Sequence, residues 1–497
     1  MRPMGELITL LSNPMVGGDI RGEVSRVTAN SSDVGPGTVF VAVSGTRVDG
    51  HHFVGEALGR GAAALVVSRP VGDVGVPVIQ VEDTRQALAL LAAALSGDAS
   101  ARVPVVGVTG TNGKTTTTYL VEAFLRAASG SPLVMGTVEI RQGNWVHPAT
   151  HTTPDPVALH TLIGERVALG ATQVVMEVSS HALDQRRVDG VHFDAAVFTN
   201  LSRDHLDYHL TMDRYLEAKA RFFREVLPRW GKGVARPIIH GGDEAGRRLL
   251  AEFPNAWSFG EGEGFHIHPT RVQMNIDGIS THLVTPAGEI DVELPLVGRH
   301  NLQNLMGAVG AALSVGVPLG KIAEGAATAS VPGRLERVSR GDIRVFVDYA
   351  HSSDALDRVT AELKRLTPGR LITLFGCGGD RDRGKRPLMA AAAARHSDGL
   401  VVTSDNPRSE DPRAIVEEIL PGLPSHWCLA FDEEEAGGRY RVELDRRLAI
   451  QQAIRWARPG DTVLLAGKGH ETTQQIGAEK FPFDDRVEAR KILGEQV

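Results

Sequence analysis

Short apolar runs rich in β-branched residues alternate along the chain with Ala- and Leu-rich amphipathic stretches. This alternation is typical of parallel sheets covered by helices, and it predicts an α/β fold. In the first hundred residues it predicts strands at 38–43, 64–68 and 78–81. The small, polar stretch 96–102 that follows has the composition of a linker.

The same pattern continues in two further segments. The second starts with an apolar strand at 103–108, has buried-strand candidates at 174–177, 195–199 and 237–240, and ends at a Val-Pro-Gly turn, 331–333. The third has predicted strands at 371–375, 399–403 and 462–466 and helices at 387–395 and 412–420, a doubly wound pattern. We therefore predict three domains, at 1–100, 101–332 and 333–497.

Composition and charge narrow the class of protein. A chain of 497 residues exceeds the size of one hydrophobic core. The formal net charge of -7 is spread along the chain, which argues against nucleic acid as a partner. Only Cys377 and Cys428 are present, which is too few for a disulfide framework or a zinc site. Without a signal-peptide pattern or a membrane-spanning apolar run, we expect a cytoplasmic protein with no membrane insertion.

A glycine loop between a strand and a helix predicts a nucleotide site. The strand at 103–108 leads into Gly-Thr-Asn-Gly-Lys-Thr-Thr, 110–116, and a helical stretch at 117–128. Glycines let backbone N–H groups face phosphates, Lys114 supplies a charge for the β and γ groups, and the Thr115 hydroxyl can ligate Mg²⁺. Val108 replaces the first Gly of the common motif, and a turn without nucleotide is the alternative.

Two more segments carry polar residues after apolar strands. Glu177 ends a strand candidate, where the carboxyl edge of a parallel sheet faces the ligand, so it is the candidate magnesium carboxylate; a solvated strand end is the alternative. His205 lies between two aspartates at 200–207, which suits a second metal or, equally, a helix start with a capping Asp. Lys219, on the helical stretch 213–223, is by itself one more surface lysine.

Together these segments resemble the Mur ligases, ATP-dependent enzymes that lengthen the peptide of the peptidoglycan precursor in the cytoplasm. The resemblance runs almost end to end, and its most specific segments are 110–116, 177–181, 200–207, 298–304, 331–336 and 348–351. It implies a three-domain architecture with an N-terminal UDP-binding domain, a central P-loop ATPase-like domain and a C-terminal Rossmann-like domain that binds the amino acid.

Four segments of the third domain, 376–382, 384–387, 405–408 and 467–471, are similar to those of the diaminopimelate-adding members. The resemblance therefore implies a monomer that adds meso-diaminopimelate to UDP-N-acetylmuramoyl-L-alanyl-D-glutamate through an acyl phosphate, with ATP as substrate and Mg²⁺ as cofactor. Arg408 offers a bidentate partner for the distal carboxylate of diaminopimelate, worth about 1.5 to 3 kcal/mol over lysine.

The resemblance also implies residue roles. The catalytic residues are Lys114, Lys219, His205 and Glu177. The metal ligands are Thr115, Glu177, His205 and Lys219, the last as a carbamate derived from CO2. ATP is bound by Gly110, Thr111, Asn112, Gly113, Lys114, Thr115, Thr116, Asn301, Asn304, Arg334 and Asp348. The UDP-sugar peptide is bound by Ser31, Thr152, Thr153, Ser179, Gln185 and Arg187. Diaminopimelate is bound by Arg386, Asp405, Asn406, Pro407, Arg408, Gly467 and Glu471.

Some positions depart from the family pattern, and other functions stay open. The departures are at Asn30, His151, His240 and Ser353. A family member that adds L-lysine or the D-Ala-D-Ala dipeptide is one alternative, and a phosphate-loop kinase or a nucleotide switch is another. Without the resemblance, the basic run 381–386 is most simply a solvated loop.

Overall fold

The computed structural model describes residues 1–45, 48–233, 235–339, 341–430 and 438–494. These residues form two compact units. The first comprises 1–271, 281–292 and 302–327, and the second comprises 272–280, 293–301 and 328–497 apart from the undescribed positions. The three predicted domains and their bounds stay a prediction.

The N-terminal part of the first unit is built on a five-stranded sheet with strand order β2-β7-β6-β5-β4, in which the edge strand β2 is antiparallel and the others are parallel. The predicted strands at 38–43, 64–68 and 78–81 are confirmed with slightly shorter bounds. The elements are β1 Arg2–Pro3, α1 Met4–Ile8, β2 Met15–Gly17, β3 Glu23–Val24, β4 Arg26–Thr28, β5 Thr38–Val41, α2 Val54–Gly59, β6 Ala64–Val67, β7 Val78–Gln80 and α3 Thr84–Leu95.

An eight-stranded sheet follows in the same unit, with strand order β11-β10-β9-β12-β8-β13-β14-β15. The pairs from β9 to β15 are parallel, so the carboxyl ends of β8, β12 and β13 meet at one edge. The elements are β8 Val105–Thr109, α4 Lys114–Ala127, β9 Pro132–Met135, β10 Glu139–Gln142, β11 Trp145–Pro148, α5 Pro156–Ala168, β12 Gln173–Glu177, α6 Ser180–Asp184, β13 Ala195–Phe198, α7 Leu206–His209, α8 Met212–Arg221, α9 Leu227–Trp230, β14 Arg236–His240, α10 Glu244–Glu252 and β15 Trp257–Phe259.

Local chemistry explains where the elements differ from the expected bounds. The helix predicted at 117–128 begins earlier, at Lys114, because Gly113 precedes it in the left-handed region with φ of 87°. The predicted linker 96–102 ends in a short 3₁₀ turn, Ala99–Arg102. The helix predicted at 213–223 ends at Arg221 and continues as one wider π turn, Phe222–Val226.

The segment that follows consists of a three-stranded sheet and two helices. The strands are β16 His268–Asn275, β17 Gly278–Thr285 and β18 Gly288–Leu294, and the helices are α11 Arg299–Ser314 and α12 Leu319–Ala327. Helix α12 packs along α4, so closely that a Cβ at Gly325 would lie 2.7 Å from the carbonyl oxygen of Ala123.

The second unit is a doubly wound sheet with strand order β19-β20-β25-β21-β22-β24-β23, parallel except for β19. The carboxyl ends of β20, β21, β22 and β25 therefore share an edge, where such sheets bind ligands. The elements are β19 Glu336–Arg337, β20 Arg344–Asp348, α13 Ser353–Leu366, β21 Leu371–Phe375, α14 Lys385–His396, β22 Gly399–Val402, α15 Pro412–Ile419, β23 Cys428–Leu429, β24 Arg439–Val442, α16 Arg446–Trp456, β25 Thr462–Ala466, β26 Thr473–Ile476, β27 Glu479–Pro482 and α17 Asp485–Leu493.

Buried side chains fill both faces of these sheets, as expected for parallel strands. Within the described ranges, no helix is both long and apolar enough to cross a membrane. The same ranges contain Cys377 and Cys428 as free thiols.

Candidate active site

Two glycines of the loop between β8 and α4 lie too close to neighbouring side chains to carry a Cβ. Gly110 and Gly113 have φ of 145° and 87°, and an added Cβ would collide with the Thr199 hydroxyl at Gly110 and with the Asn304 carboxamide at Gly113. The Lys114 ammonium donates to the carbonyls of Gly110 (3.1 Å) and Thr111 (2.9 Å). A cation and a helix N-terminus thus meet at this loop, which is the arrangement that stabilises phosphate.

Glu177, at the end of β12, faces the first turn of α4. Its carboxylate accepts hydrogen bonds from the Thr115 hydroxyl (2.9 Å) and from the N–H and hydroxyl of Thr137 (both 3.0 Å). The residue is only 1% exposed, so the solvated strand end considered above is wrong. Thr115 and Glu177 together present two hard oxygen donors beside the phosphate loop.

Lys219, on α8, is buried against the phosphate loop. Its ammonium nitrogen lies 2.8 Å from the Gly110 carbonyl oxygen, the same atom that Lys114 contacts, and 4.6 Å from the Tyr215 ring centroid. The side chain is 1% exposed. Burial lowers the pKa of Lys219 far below its usual value, the nearby Lys114 lowers it further, and Asp204 opposes both. The interpretation as a surface lysine is therefore wrong, and the neutral amine is favoured here.

His205 lies in the loop after β13, which is tied to the phosphate loop. The Asn200 carboxamide accepts a hydrogen bond from Asn112 N (3.0 Å) and donates one to Asn112 O (3.0 Å). The His205 ring lies 5.0 Å from the His181 ring and is half-exposed, and partial burial lowers its pKa. Helix α7 begins after His205 without a side-chain cap, so the capping-Asp alternative is wrong.

The expected sugar-peptide residues of the central sheet form one hydrogen-bonded cluster next to Glu177. The Thr153 hydroxyl donates to Glu177 O (2.8 Å) and accepts from Ser179 N (3.1 Å). The Arg187 guanidinium donates to Thr153 O (2.9 Å) and to the Gln185 side chain (3.0 Å). The Thr152 hydroxyl lies 3.0 Å from that of Thr137. In the N-terminal sheet, the Ser31 hydroxyl donates to Glu56 (2.8 Å).

Two of the four family departures have a clear structural role. Asn30 caps the turn at Ser31 by accepting from Ser32 N (3.2 Å), and Ser352, just before Ser353, caps α13. His240 is buried, with its ring packed against Phe259. Nothing in the structure explains His151, which is exposed.

The second unit contains the other residues expected at the nucleotide. Both oxygens of Asp348 accept backbone hydrogen bonds, from Leu335 N (2.7 Å) and Ala350 N (2.8 Å), so this carboxylate fixes the turn that carries Arg334. Burial raises the pKa of Asp348 although Arg334 opposes the shift. The Arg334 guanidinium lies 5.1 Å from the Tyr349 ring centroid. Asn301 donates to Val297 O (2.8 Å) at the start of α11.

A nest of charged side chains lies at the carboxyl ends of β22 and β25. The fully buried Lys468 ammonium lies 3.0 Å from Glu471, 3.3 Å from the Asn406 carboxamide oxygen and 3.8 Å from Asp405 Oδ1. Asn406 also donates to Glu471 (3.0 Å). Burial acts to raise the pKa of Glu471, but Lys468 and Asn406 outweigh it and hold the pKa below its usual value. The Gly467 backbone, with φ of 112°, borders the nest.

Arg408 lies beside this nest in a left-handed conformation with φ of 52°. Its backbone pairs with the β26–β27 hairpin, from Arg408 N to Gln475 O (3.2 Å) and from Gly477 N to Arg408 O (2.7 Å). Its guanidinium donates to Gly379 O (2.7 Å). A strained conformation held by two neighbouring segments is typical of a functional side chain. Pro407 precedes it and is buried.

Arg386, expected to contact diaminopimelate, is fully buried in the first turn of α14, where its guanidinium donates to Glu410 (2.9 and 2.8 Å) and Glu418 (2.7 Å). Its Nε is buried and has no hydrogen-bond partner among the described residues. Its contact with diaminopimelate stays a prediction. Arg381, in the same basic run, is exposed and lies next to Gly378, which also adjoins Arg408.

Three residues of these clusters were not predicted from the sequence. Thr137 holds both oxygens of Glu177, Lys468 lies inside the charged nest, and Arg381 lies beside Gly378, as Arg408 does. The sequence does contain an indication of the role of Lys468, which stands within the family-like segment 467–471, between Gly467 and Glu471. It contains none for Thr137.

Comparison with known proteins covers nearly the whole chain. Residues 23–95 match the Mur ligase family catalytic domain, 108–312 the Mur ligase middle domain and 333–469 the Mur ligase glutamate ligase domain. The UDP-N-acetylmuramoyl-L-alanyl-D-glutamate--2,6-diaminopimelate ligase of Geobacter metallireducens is 46% identical over 99% of this chain and 98% of that protein. The Aquifex aeolicus protein of the same name is 41% identical over 95% and 94%.

Solved structures of Mur ligases also superpose on nearly the whole chain. A UDP-N-acetylmuramoyl-L-alanyl-D-glutamate--2,6-diaminopimelate ligase superposes with a TM-score of 0.74 at 31% identity, covering 99% of this chain and 98% of that one. A D-alanyl-D-alanyl-adding ligase from Acinetobacter baumannii superposes with a TM-score of 0.61 at 20% identity over 94% of this chain and 95% of that one, a likeness of fold alone.

Proposed function

The chain belongs to the Mur ligase family, and from this premise we propose that it joins meso-diaminopimelate to UDP-N-acetylmuramoyl-L-alanyl-D-glutamate at the expense of ATP, in the cytoplasm and as a monomer. The observation that carries the choice of amino acid is the pairing of opposite charges at the edge of the second sheet. Asp405 and Glu471 present carboxylates, and Arg408 presents a guanidinium at Gly378 and Gly379, where the carbonyl of Asn406 also approaches. The distal end of diaminopimelate, an ammonium and a carboxylate on one carbon, matches that pair of charges.

The reaction we propose has two steps. The D-glutamyl carboxylate attacks the γ-phosphorus of ATP, a P–O bond forms as the bond to ADP breaks, and an acyl phosphate results. The amine of diaminopimelate, having lost its proton, then attacks the acyl carbon, and the tetrahedral intermediate expels inorganic phosphate to leave an amide. The first step brings two anions together, so it depends on charge neutralisation and in-line positioning.

Residues of the phosphate loop meet the first requirement. The Lys114 ammonium, at the N-terminus of α4, is placed to move from the loop carbonyls to the β and γ phosphates. The N–H groups of 110–116 would receive the phosphate oxygens. Asn304, in contact with Gly113, would position the nucleotide. Asn301, Arg334 and Asp348 are the other residues that we propose for ATP binding.

The donor set fits Mg²⁺. Thr115 and Glu177 offer hard oxygens 2.9 Å apart, the donor type that Mg²⁺ prefers. Thr115 and Glu177 would hold one ion, and His205 with carbamylated Lys219 a second. When bound, magnesium neutralises the phosphate charge that develops during transfer.

The environment of Lys219 supports its carbamylation. CO2 reacts with a neutral amine, and burial together with Lys114 favours that form of Lys219. The nitrogen attacks CO2 and releases one proton, so a side chain that would have been a cation becomes an anionic oxygen ligand. A buried cation 2.8 Å from the Gly110 carbonyl would otherwise repel the metal.

The acceptor substrate would lie along the cluster next to Glu177. Arg187 and Ser179 offer a guanidinium and a hydroxyl for the peptide carboxylates, and Thr152, Thr153 and Gln185 hold those groups in place. Ser31 would contact the UDP part.

Selectivity for the amino acid would rest on Arg408, with Arg381 as a second cation for the distal carboxylate. L-lysine has a distal ammonium but no distal carboxylate, so it would leave both guanidinium groups without that partner. Asp405, Asn406 and Glu471 would receive the ammonium, and the Gly467 backbone would border it.

A substrate panel tests the proposal. Purified chain is incubated with MgATP and UDP-N-acetylmuramoyl-L-alanyl-D-glutamate, together with meso-diaminopimelate, L-lysine, D-Ala-D-Ala or no amine, and products are identified by mass. We expect the tripeptide product and phosphate only with diaminopimelate. Product with lysine or the dipeptide would reject the specificity, and a phosphorylated product that persists without any amine would indicate a kinase.

A further inference from the structure

The charged nest of the second unit contains a buried cation to which no substrate contact has been assigned. Lys468 is 0% exposed, yet its ammonium lies within 3.3 Å of Glu471 and of Asn406, two of the residues proposed to receive the amino acid. Burying an ammonium costs free energy unless the ammonium is paired. We therefore ask what Lys468 contributes at this position.

Asp405 provides the second observation. Its Oδ1 atom is buried and has no hydrogen-bond partner among the described residues, and the Lys468 ammonium lies 3.8 Å from it. A buried carboxylate oxygen left unsatisfied costs free energy, which a ligand that donates to it would recover. Asp405 therefore keeps an acceptor for an incoming donor, while Lys468 stays close enough to compensate its charge.

The charges around the nest explain why such compensation is needed. The groups that face it from neighbouring elements are Arg446 on α16, Asp485 on α17, His470 and Tyr349. Arg446 and Asp485 form a fully buried pair (2.8 and 2.7 Å), and Arg446 also donates to Ser404 O and Ala466 O at the ends of the two strands. Burial holds the pKa of His470 at about 4 and raises that of Tyr349, so both are neutral near pH 7.

With Arg446 and Asp485 cancelling each other, two carboxylates and one ammonium remain. Burial raises the pKa of Asp405, and Arg446 and Lys468 oppose that shift. With both carboxylates ionised, one negative charge is in excess, which matches a single ligand ammonium. Without Lys468 the two carboxylates would face each other in a dry environment, and one of them would take up a proton.

We infer that Lys468 is a positioning residue for the amino-acid substrate: it holds Asp405 and Glu471 ionised and in place, so that together they receive the distal ammonium of a diamino acid. The inference rests on the proposed function, since it concerns the same pocket. It assigns Lys468 no contact with the reacting atoms.

The test compares Lys468→Met with Lys491→Met, a lysine on α17 whose side chain is 55% exposed. At neutral pH we expect Lys468→Met to raise the KM for meso-diaminopimelate about tenfold or more, the factor expected from a charge-assisted contact, with the KM values for ATP and UDP-substrate within about twofold. The control should match the native chain in all three. An unchanged KM for diaminopimelate in Lys468→Met would overturn the inference.

A pH profile distinguishes electrostatic positioning from a packing defect. Lys468 is the leading influence that lowers the pKa of Glu471, so its loss lets burial raise that pKa. A larger fraction of this carboxylate would then be protonated at a given pH, and its charge would recover as pH rises. We expect the KM of Lys468→Met for diaminopimelate to fall towards the native value between about pH 7 and 9, below the titration of the substrate amine. A KM difference that stays constant with pH would contradict the inference.

Two further readouts remain informative if Lys468→Met is poorly stable. The double variant Lys468→Met/Glu471→Gln carries a side chain at 471 that cannot ionise, so its KM for diaminopimelate should not fall as pH rises. 2-Aminopimelate keeps the distal carboxylate and lacks the distal ammonium, so the native preference for diaminopimelate over it should shrink in Lys468→Met. A double variant whose KM falls with pH as that of the single variant does, or an undiminished preference, overturns the inference. A native chain inactive with diaminopimelate overturns the proposed function as well.

Discussion

Replacing Arg408 with Asn should weaken the use of meso-diaminopimelate without weakening the use of L-lysine. Arg408 has φ of 52°, and Asn tolerates this left-handed region better than most residues, so the backbone should keep its shape. The guanidinium makes one hydrogen bond to its surroundings in the described structure, to Gly379 O at 2.7 Å, whose loss costs about 1 kcal/mol of stability. The larger effect should be on the substrate.

A charge-assisted contact with the distal carboxylate is worth about 1.5 to 3 kcal/mol, so the KM for meso-diaminopimelate should rise about ten- to a hundredfold. L-lysine has no such carboxylate, so turnover with L-lysine should be unchanged or higher. Initial rates of phosphate release with each amine measure both values. Arg413→Asn, an exposed arginine on α15, is the matched control and should behave like the native chain.

Two outcomes would refute the reasoning about Arg408. A KM for diaminopimelate within about twofold of the native value would mean that the guanidinium does not contact the substrate. An equal loss with diaminopimelate and lysine would mean that Arg408 only holds the hairpin and the 376–380 loop in place.

Three other changes test the rest of the account. Lys219→Met should lower the rate of phosphate release on the order of a hundredfold. The native chain should lose activity when CO2 is removed and regain it when bicarbonate is added. Activity that changes with neither the substitution nor the CO2 supply would contradict carbamylation. Gly113→Ala introduces a Cβ at φ of 87° against Asn304, so ATP should bind at least about tenfold more weakly in a calorimetric titration, and native affinity would contradict the tight packing. His160 is buried neutral with its pKa lowered to about 4 by burial, while its Nε2 lies 3.0 Å from Asp189 O. Because the pKa of His160 in the folded state lies below its unfolded value, neutral His160 contributes to the free energy of unfolding above about pH 6.5, and roughly 3 kcal/mol of this contribution is lost as pH falls to about 4. In urea unfolding, His160→Gln should therefore lose less stability over this pH range than the native chain. A pH dependence identical to that of the native chain would contradict the prediction.

Local patterns sufficed for most of the fold. Strands such as 371–375 and 462–466 are continuous apolar runs between turn residues, and the structure reproduces their bounds. The phosphate loop was equally accessible, because its glycines, Lys114 and Thr115 are contiguous. Such features depend on short-range sterics and hydrophobicity, which the sequence displays directly.

The burial of a charged side chain could not be predicted from the sequence in the same way. Lys219 reaches the Gly110 carbonyl across 109 residues of sequence, and nothing in its own helix distinguishes it from a surface lysine. The resemblance to a family supplied its role, whereas the structure supplied the physical reason, a desolvated amine with a lowered pKa.

In the basic run 381–386, the residue at which the helix begins decides which arginine is buried, and the sequence does not fix that residue closely enough. Three arginines and a lysine in six residues look alike in sequence. Because α14 begins at Lys385, Arg386 falls on its buried face between Glu410 and Glu418, while Arg381 stays in the loop before it. An error of a few residues in the predicted start of a helix thus changes which arginine of the run is expected to be buried and which is expected to be exposed.

The most direct test of the central claim follows an oxygen atom. The D-glutamyl carboxylate of UDP-N-acetylmuramoyl-L-alanyl-D-glutamate is labelled with heavy oxygen, and the substrate is incubated with the chain, MgATP and meso-diaminopimelate. We expect one labelled oxygen in the inorganic phosphate released for each tripeptide formed, since the acyl phosphate gives up its bridging oxygen when the amine attacks. Label found in AMP, or tripeptide formed with unlabelled phosphate, would contradict it.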